Sequence, residues 1–243
     1  DLVINTQSIL VACELEITAN GNLIISSEGS LNIAGKITNY GNENQFVVDN
    51  EATVIQQKDV ANQGSATVKV NSAPLYRQDY TLWGSPVIEQ NLRAFSPQTL
   101  YNRFSSYDET IGTVGDYVQE LFTNADIATK NFQSGKGYLI SMPNNWTEYV
   151  NDAIAGTSYN GIFKGVPQNG PIVMPISKVN DGLNLVSNPY PSSIMIDNFS
   201  NQNPQLEETI YYWRKRNNAS GSGYATYNAM GFVSFQPGLD QLG

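Results

Sequence analysis

Short apolar strands recur through residues 1–60 at a nearly constant spacing. Leu2, Leu23 and Phe46 lie 21 and 23 residues apart, and Leu15 and Ile37 lie 22 residues apart. Within each strand the apolar residues alternate, so that two side chains point to one face. Three short strands in every period of about 22 residues predict the coils of a parallel β-helix, in which aliphatic side chains stack from coil to coil.

A second line of apolar positions predicts a second inner face of the same coils. Ile9, Leu31 and Val54 follow one another at spacings of 22 and 23 residues. The strands are separated by pairs of residues that favour turns, namely Asn20-Gly21, Glu28-Gly29, Ala34-Gly35 and Tyr40-Gly41. We expect one inner face to hold Leu23, Ile25, Phe46 and Val48, and the other to hold Leu31, Ile33 and Val54.

A meander of antiparallel hairpins is the alternative interpretation, because Asn20-Gly21 also fits a two-residue hairpin turn. The parallel recurrence explains more of the pattern. Roughly two and a half coils are marginal alone, since a solenoid is stabilised by its neighbouring repeats and needs capped ends. Residues 61–78 are therefore expected to be a linker or cap, and the domain that follows is expected to cover the last coil.

Beyond residue 73 the period is lost and aromatic residues become more frequent. Short β-branched or aromatic runs predict strands at Tyr80–Trp83, Tyr101–Tyr107, Gly137–Ser141, Ser158–Lys164, Ile172–Ile176, Leu183–Ser187, Thr209–Arg214, Tyr224–Tyr227 and Phe232–Phe235. Val114–Thr129 is the one segment expected to be helical. The predicted fold is all-β, with a short N-terminal parallel β-helix at residues 1–60 followed by an antiparallel β-sandwich-like domain at residues 79–243.

Composition limits the possible partners. The 243 residues carry a formal net charge of −9 and only 14% charged residues, which argues against nucleic acid as a partner. The one basic run, Arg214-Lys215-Arg216, is interpreted as a solvated hairpin end. Cys13 is the only cysteine and, in an apolar stretch, is expected to be buried. No apolar run approaches the roughly 20 residues of a membrane span.

A series of motifs in the second half of the chain carries a family resemblance. Leu183 and Leu185 predict a buried strand, which Pro189 and Pro191 terminate because proline lacks a backbone N–H. The ordered motifs are Asp79-Tyr-Thr-Leu-Trp-Gly-Ser-Pro-Val87, Ser134-Gly-Lys-Gly-Tyr138, Phe163-Lys-Gly165 through Asn169-Gly170, Gly182–Pro191, Ile210–Trp213 and Tyr227-Asn228. Together they resemble a family of large secreted and cell-surface proteins of gliding, Bacteroidota-type bacteria, which carry an Asn-Pro-Tyr-Pro-Ser segment.

The resemblance implies export by the type IX secretion system and an extracellular or outer-surface location. Members typically continue into a further Gly-Gln-Gly-Phe strand and a C-terminal sorting domain. We therefore expect this chain to be part of a larger exported polypeptide, with its second domain incomplete at the C-terminus. The resemblance supplies no catalytic residues.

The residues present exclude several kinds of chemistry. Without histidine the chain has no Ser–His–Asp triad, no Cys–His pair and no histidine-based zinc site. Carboxylate pairs occur at Asp108-Glu109, Glu207-Glu208 and Asp116/Glu120, but adjacent residues of a strand face opposite ways and make poor acid–base couples. We expect no enzyme and no cofactor. Structural calcium is an open alternative, with Asp49, Asp181 and Asp197 in turns that backbone capping also explains.

Aromatic residues provide the best hypothesis for binding. Alternation along Tyr211-Tyr212-Trp213 leaves Tyr212 on the face opposite its neighbours, and Trp146 and Tyr149 lie near a second polar loop. Exposed rings at these three positions would stack on sugars. The alternative is that the rings belong to the core or its rim, with only their polar atoms in contact with water. The predicted function is a non-enzymatic structural or adhesive module, with a carbohydrate-binding accessory module of a polysaccharide-degrading enzyme as the alternative. Expected partners are the remaining polypeptide, the secretion machinery and surface glycans.

Overall fold

The computed structural model describes residues 1–151, 154–207, 209–213, 224–228 and 231–233. Most regular structure in these residues is β, arranged as a parallel solenoid followed by antiparallel sheets. The predicted fold class is therefore confirmed. None of the helices in these ranges has the length and apolar character needed to cross a membrane.

Eight short strands form the coils. They are β1 (Leu2–Ile4), β2 (Ile9–Ala12), β3 (Leu15–Ile17), β4 (Leu23–Ile25), β5 (Ser30–Ile33), β6 (Ile37–Asn39), β7 (Phe46–Val48) and β8 (Thr53–Gln56). Each strand pairs in parallel with the strand one coil away, in the orders β1-β4-β7, β2-β5-β8 and β3-β6. Parallel pairing confirms the β-helix, and the hairpin alternative is wrong.

The register of the coils follows the apolar period of the sequence. Leu2 lies opposite Leu23, Leu23 lies opposite Phe46, and Leu15 lies opposite Ile37. Both predicted inner faces are buried, with Leu23, Ile25, Phe46, Val48, Leu31, Ile33 and Val54 all in the core. Burying each of these side chains contributes about 1.5–3 kcal/mol.

The first strand of the second inner face is displaced by one residue from the prediction. Leu10, rather than Ile9, lies opposite Leu31. Ile9 and Val11 consequently point outward and are 66% and 72% exposed, because a shift of one residue moves a side chain to the other face of a strand. Cys13, which follows this strand, was expected to be buried and is instead exposed.

One corner of the coil repeats with the same backbone conformation. Gln7, Glu28 and Glu51 have positive φ angles of 58°, 61° and 66°. Few residues other than glycine adopt this left-handed conformation, which turns the chain sharply. The Gln7 N–H donates to the Glu28 carbonyl at 3.2 Å. The corner therefore stacks in register with the strands.

The second part of the chain contains antiparallel sheets and short helices. Its strands are β9 (Ala66–Leu75), β10 (Tyr80–Trp83), β11 (Val87–Ile88), β12 (Phe104–Asp108), β13 (Asp116–Gln119), β14 (Tyr138–Ser141), β15 (Thr157–Pro167), β16 (Ile210–Trp213), β17 (Tyr224–Asn228) and β18 (Gly231–Val233). Its helices are α1 (Leu92–Phe95), α2 (Asp126–Thr129) and α3 (Ile196–Gln202), with a 3₁₀ turn at Tyr101–Arg103. Two sheets have the orders β10-β14-β12-β13 and β16-β17-β18.

Strand β9 joins the coils to the antiparallel part, in the segment expected to be a linker or cap. Val47 and Val48 pair in parallel with Thr67 and Val68. The other edge of β9 pairs with β15 in antiparallel orientation. A six-stranded sheet with the order β1-β4-β7-β9-β15-β11 therefore runs from the coils into the second part.

Three segments differ from the predicted secondary structure. Val114–Thr129, expected to be one helix, contains β13 and the short α2, because residues 116–119 pair with β12. Ile172–Ile176 forms no strand. Leu183–Ser187 contributes only a bridge between Val186 and Lys136, and Leu183, expected to be buried, is exposed.

Other predicted strands are present with shifted ends. Tyr101–Tyr107 opens with the 3₁₀ turn and becomes strand only at β12. Part of Phe232–Phe235 forms β18, and the remainder lies outside the described residues. The basic run Arg214-Lys215-Arg216 and Glu208 also lie outside them.

Aromatic residues fill the core between β15 and the helix α1. Phe95 stacks on Phe163 with ring centroids 4.6 Å apart, and Phe132 meets both rings edge-on. Trp83 packs against Phe95 at 4.9 Å. This aromatic cluster is continuous with the aliphatic stack of the coils, so one hydrophobic core supports both parts.

The Asn-Pro-Tyr-Pro turn closes the last coil. The Val54 N–H of β8 donates to the Pro191 carbonyl at 2.9 Å. The Tyr190 hydroxyl donates to the Gly170 carbonyl at 2.7 Å, and Asn169 Nδ2 donates to the Lys58 carbonyl at 2.8 Å. The second part thus covers the last coil, as the open end of a solenoid requires.

Candidate functional site

Two of the predicted aromatic residues, Trp146 and Tyr149, lie at the same end of the β9–β15 pair. Trp146 Nε1 donates to the carbonyl of Thr157, which pairs with the last residue of β9, at 3.0 Å. The Tyr149 ring meets Tyr76, the residue after β9, edge-on at 5.1 Å. Trp146 is tilted by 60° against Tyr159. Both predicted residues are half-buried, so each leaves part of its ring in solvent.

The third predicted residue, Tyr212, lies on β16 and therefore on a different sheet. It is 38% exposed, and partial burial raises the pKa of its hydroxyl. Its neighbours Tyr211 and Trp213 both contact the Tyr224 ring edge-on, and alternation places Tyr212 on the opposite face of the strand. The structure thus places Trp146 and Tyr149 in the segment between β14 and β15, and Tyr212 on β16.

The adjacent carboxylates Asp108 and Glu109 have separate sets of partners. Asp108 Oδ1 accepts hydrogen bonds from the Thr110 N–H at 2.9 Å and from the Thr110 hydroxyl at 2.7 Å. Glu109 is only 3% exposed and bonds to a loop about 70 residues later in the chain. The two carboxylates therefore have different environments. Strand alternation, the reason expected from the sequence, does not account for this, because β12 ends at Asp108 and Glu109 lies in the turn that follows.

Glu109 organises the loop 177–182. Its Oε2 accepts from the Val179 N–H and the Ser177 hydroxyl, both at 2.9 Å. Its Oε1 accepts from the N–H groups of Asn180 and Gly182, the latter at 3.0 Å. Burial acts to raise the pKa of Glu109, but these hydrogen bonds outweigh it and lower the pKa to about 2. The carboxylate is enclosed by donors, which suits a structural anchor.

Arg93 of α1 is a buried cation with structural partners. Burial lowers the pKa of its guanidinium. Nη1 donates to the Thr99 carbonyl at 2.7 Å and Nη2 to the Pro97 carbonyl at 2.9 Å. The guanidinium lies 4.2 Å from the ring centroid of Tyr101 and 5.0 Å from that of Phe104, in the range of cation–π attraction. Its described partners are thus carbonyls and rings.

The aspartates considered as calcium ligands lie in three places. Asp49 pairs with Lys69 Nζ at 2.7 Å, and Asp197 Oδ1 accepts from the Tyr227 hydroxyl at 2.7 Å. Asp181 lies in the loop around Glu109. Over the described ranges, no three acidic, histidine or cysteine side chains come together as a metal-binding group. Structural calcium stays a prediction.

A groove of about 470 Å³ opens where β11 separates from β15. Ile88 still lies opposite Val166 in an antiparallel pair. The next residue, Glu89, has a φ of +64°, and this left-handed conformation turns the chain away from β15. The side-chain Oε1 of Gln90 then accepts the Lys164 N–H at 2.7 Å. At Lys164, which marks the closed end of the groove, the Gln90 side chain thus takes the place of a neighbouring strand.

Both apolar and polar residues line the groove. The apolar ones include Phe95, Tyr159 and Ile162, and the polar ones include Glu89, Asn91 and Asn160. Asn91 caps α1 by accepting the Ala94 N–H at 2.8 Å. In the ranges that the structure covers, no hydrogen bond or ion pair engages the side chains of Glu89 or Asn160.

Backbone groups of β15 also point into the groove. The Lys164 N–H bonds to Gln90 and so points away from β9. Alternate residues of an antiparallel strand direct their N–H and C=O groups to the same edge, so those of Ile162 and Asn160 face the groove as well. Within the described part of the chain neither residue has a backbone partner at this edge. The groove therefore flanks an unpaired strand edge.

This groove was not predicted from the sequence. The segment from Ile88 to Asn91 contains no glycine or proline that would mark a turn at Glu89. Asn91 before Leu92 was the available signal, because asparagine is a preferred N-cap and predicts that a helix begins there. The unpaired edge of β15 has no local signal.

Comparison with known proteins assigns the chain to a family. Residues 1–236 match a family described as a domain of unknown function, DUF8693. The chain belongs to this family. No curated protein and no solved structure matches the chain. The DUF8693 match extends over the coils and the antiparallel sheets alike, so it includes the Glu109 anchor and the groove beside β15.

Proposed function

We propose that this DUF8693 chain is a non-enzymatic structural or adhesive module of a large secreted cell-surface protein. The observation that supports the proposal is the six-stranded sheet, which runs from the coils through β9 into β15 and β11. A ladder of backbone hydrogen bonds, rather than a flexible linker, therefore connects the two parts. Such a connection suits a rigid element of a longer polypeptide.

The environment of the buried charges supports a role without catalysis. Both oxygens of Glu109 accept hydrogen bonds from the loop 177–182, and the guanidinium of Arg93 contacts carbonyls and aromatic rings. General acid–base catalysis needs a titrating group within reach of a substrate. The hydrogen bonds of Glu109 and Arg93 are instead made to other groups of the protein.

The motif resemblance supports the location of the module. The Asn-Pro-Tyr-Pro turn that caps the last coil belongs to the motifs that resemble those of surface proteins of type IX-secreting bacteria. The proposal therefore includes export by that machinery, an outer-surface position and attachment to further polypeptide.

Assays of the purified chain on panels of polysaccharides and peptides test the non-enzymatic role. We expect no turnover above a heat-inactivated control. Hydrolysis that a single carboxylate substitution abolishes, with the fold intact, would overturn the proposal.

Labelling of intact cells of the source bacterium tests the location. Antibodies against the chain should bind intact wild-type cells. They should bind cells that lack the type IX machinery only after permeabilisation. Equal labelling of both strains when intact would contradict export by this route.

A carbohydrate-binding accessory role is the second candidate. The observation that favours it is the placement of the half-exposed Trp146 and Tyr149 at one end of the β9–β15 pair. Aromatic faces with wet edges suit contact with sugar rings. Glycan-array binding that Trp146→Ala abolishes and Tyr212→Ala leaves intact would locate a sugar site here. Loss on Tyr212→Ala alone would locate it on β16, and a blank array leaves the structural role.

A further inference from the structure

The groove beside β15 has the features of a site for strand addition. An unpaired strand edge offers a row of backbone donors and acceptors that can template another chain. Peptide recognition by strand addition draws affinity from those main-chain hydrogen bonds and specificity from adjacent side-chain pockets. Here the backbone groups of Asn160 and Ile162 face the groove, and Phe95 and Tyr159 line it.

Glu89 determines both the opening of the groove and its charge. Its left-handed conformation directs the chain away from β15, which leaves the edge from Asn160 to Lys164 without a neighbouring strand. Its carboxylate lines the groove and has no ion-pair partner in the described part of the chain. Lys164 at the closed end is already paired with Glu43 at 3.0 Å. A basic side chain on the ligand would complement the free carboxylate.

We propose that this groove binds an extended peptide segment, which adds as a strand to the edge of β15 and places a basic side chain beside Glu89. The edge from Asn160 to Lys164 is about 13 Å long at the usual rise of a strand, which corresponds to a segment of about five residues. The Lys164 N–H already bonds to Gln90 Oε1, so the segment bonds to the backbone groups of Asn160 and Ile162. Apolar side chains next to the basic residue point to the opposite face of the added strand, where Phe95 and Tyr159 line the groove. The site is independent of the structural role proposed above.

The chain itself suggests a probe peptide. Residues 67–71, Thr-Val-Lys-Val-Asn, already pair with residues 160–164 on the opposite edge of β15. A fluorescein-labelled, end-capped peptide of this sequence presents a lysine between two valines. Opposite Ile162 at the free edge, the lysine would exchange two backbone hydrogen bonds with that residue.

Fluorescence anisotropy with the full chain provides the first measurement. We expect saturable binding of Thr-Val-Lys-Val-Asn and no saturable binding of a scrambled peptide. Glu89→Gln should weaken binding about three-fold at low salt, as for an exposed charge pair. Glu28→Gln is the matched control, because Glu28 has the same left-handed conformation on a coil corner, and it should leave binding unchanged.

A backbone variant of the probe tests strand addition directly. Methylation of the backbone nitrogen of its lysine retains the side-chain charge and removes the central backbone N–H donor. Binding should therefore weaken about ten-fold. Because this change is in the peptide, the fold of the protein is unaffected. Amide hydrogen exchange at saturation should slow at Ile162 and Asn160 and leave the coil strands unchanged.

Three results would overturn the proposal. The first is that the scrambled peptide binds as well as Thr-Val-Lys-Val-Asn, or that neither peptide binds. The second is that the N-methylated peptide binds as well as the unmodified one. The third is that peptide binding slows amide exchange outside the groove. Binding that Glu89→Gln does not weaken would overturn the assignment of a basic ligand. If a glycan array shows binding that Glu89→Gln removes, while the peptide does not bind, the groove is a sugar site instead.

Discussion

At the scale of single residues, two buried charges show how polar groups hold irregular segments in place. Glu109 has no cationic partner among the residues that the structure describes and is stabilised by the N–H groups of the loop 177–182. Arg93 lacks a carboxylate in the described residues and is stabilised by carbonyls and aromatic faces. Each charge compensates for its burial by hydrogen bonds, which is the condition for keeping an ion inside a protein.

Glu109 should make the stability of the fold depend on pH. Its pKa is about 2 in the folded chain and 4.5 as a reference for the unfolded chain. Its contribution is therefore complete above about pH 4.5 and is lost as the pH falls towards 2. We expect Glu109→Gln to lower the denaturation midpoint at pH 7 and to flatten its decline between pH 5 and 2.

Urea titrations followed by tryptophan fluorescence at several pH values measure this effect. Glu207→Gln is the control, because Glu207 is an exposed carboxylate paired with Lys178 and should change little. A Glu109→Gln midpoint that falls with acid as steeply as that of the wild type would contradict the anchor role.

Arg93 should not tolerate replacement by lysine. Lysine retains a charge but cannot place two planar donors on the Thr99 and Pro97 carbonyls. We expect Arg93→Lys to reduce the free energy of unfolding by about 1–3 kcal/mol, whereas the exposed Arg103→Lys should cost less than about 0.5 kcal/mol. Chemical denaturation measures both. Equal losses of unfolding free energy in the two variants would contradict a special requirement for arginine at position 93.

At the scale of elements, the coils depend on aliphatic stacks and on a repeated corner. Leu31 of β5 has neighbours above and below, Leu10 and Val54, in the same inner line. The corner at Glu28 is exposed, and its left-handed backbone is shared by Gln7 and Glu51. The interior of a coil is therefore sensitive to side-chain chemistry, whereas its corner is sensitive mainly to backbone conformation.

Leu31→Asp should unfold the coils, whereas Glu28→Lys should be nearly silent. The aspartate removes a fully buried aliphatic side chain and introduces a charge without a partner, which together should cost at least about 4 kcal/mol. Lysine at position 28 has the same backbone requirements as glutamate and stays in solvent. Circular dichroism and thermal melts distinguish the two variants. A stable Leu31→Asp chain would mean that the inner stack is not the main support of the coils.

At the scale of the whole molecule, one sheet and one core connect two architectures. The sheet order places β9 between the parallel strand β7 and the antiparallel strand β15. The far end of the solenoid differs, because in the described residues β1, β2 and β3 each pair along one edge only. Neighbour contacts stabilise each coil, so stability should increase from the first coil towards β9.

Hydrogen exchange followed by mass spectrometry should show this gradient. We expect the amides of residues 1–17 to exchange fastest among the strands of the coils, those of β4 and β5 more slowly, and those of β7 and β9 slowest, because local opening is easiest at an unpaired edge. Ile4→Ala, which truncates the buried side chain of β1, should accelerate exchange in the first coil without changing β15. Uniform exchange along all three coils would contradict a gradient set by pairing.

The sequence by itself determined the coils, because their inward residues recur at intervals that local alternation and turn residues make visible. The pairs of Leu2 with Leu23 and of Leu15 with Ile37 follow directly from counting. The same counting predicted Ile9 as the inward-facing residue of β2, whereas Leu10 faces inward. Both residues are apolar, and only packing distinguishes them. Many short strands in the second part could likewise be predicted from composition and turns.

Only the tertiary structure decided the features that depend on distant partners. The loop 177–182 donates its N–H groups to an acceptor, Glu109, that lies about 70 residues earlier in the chain. Residues 116–119, inside the segment expected to be helical, form β13 because they pair with β12. The groove exists because Glu89 adopts a left-handed conformation that no nearby residue signals. Periodicity records which side of a strand is buried, but it does not record which strand edge is left without a neighbour.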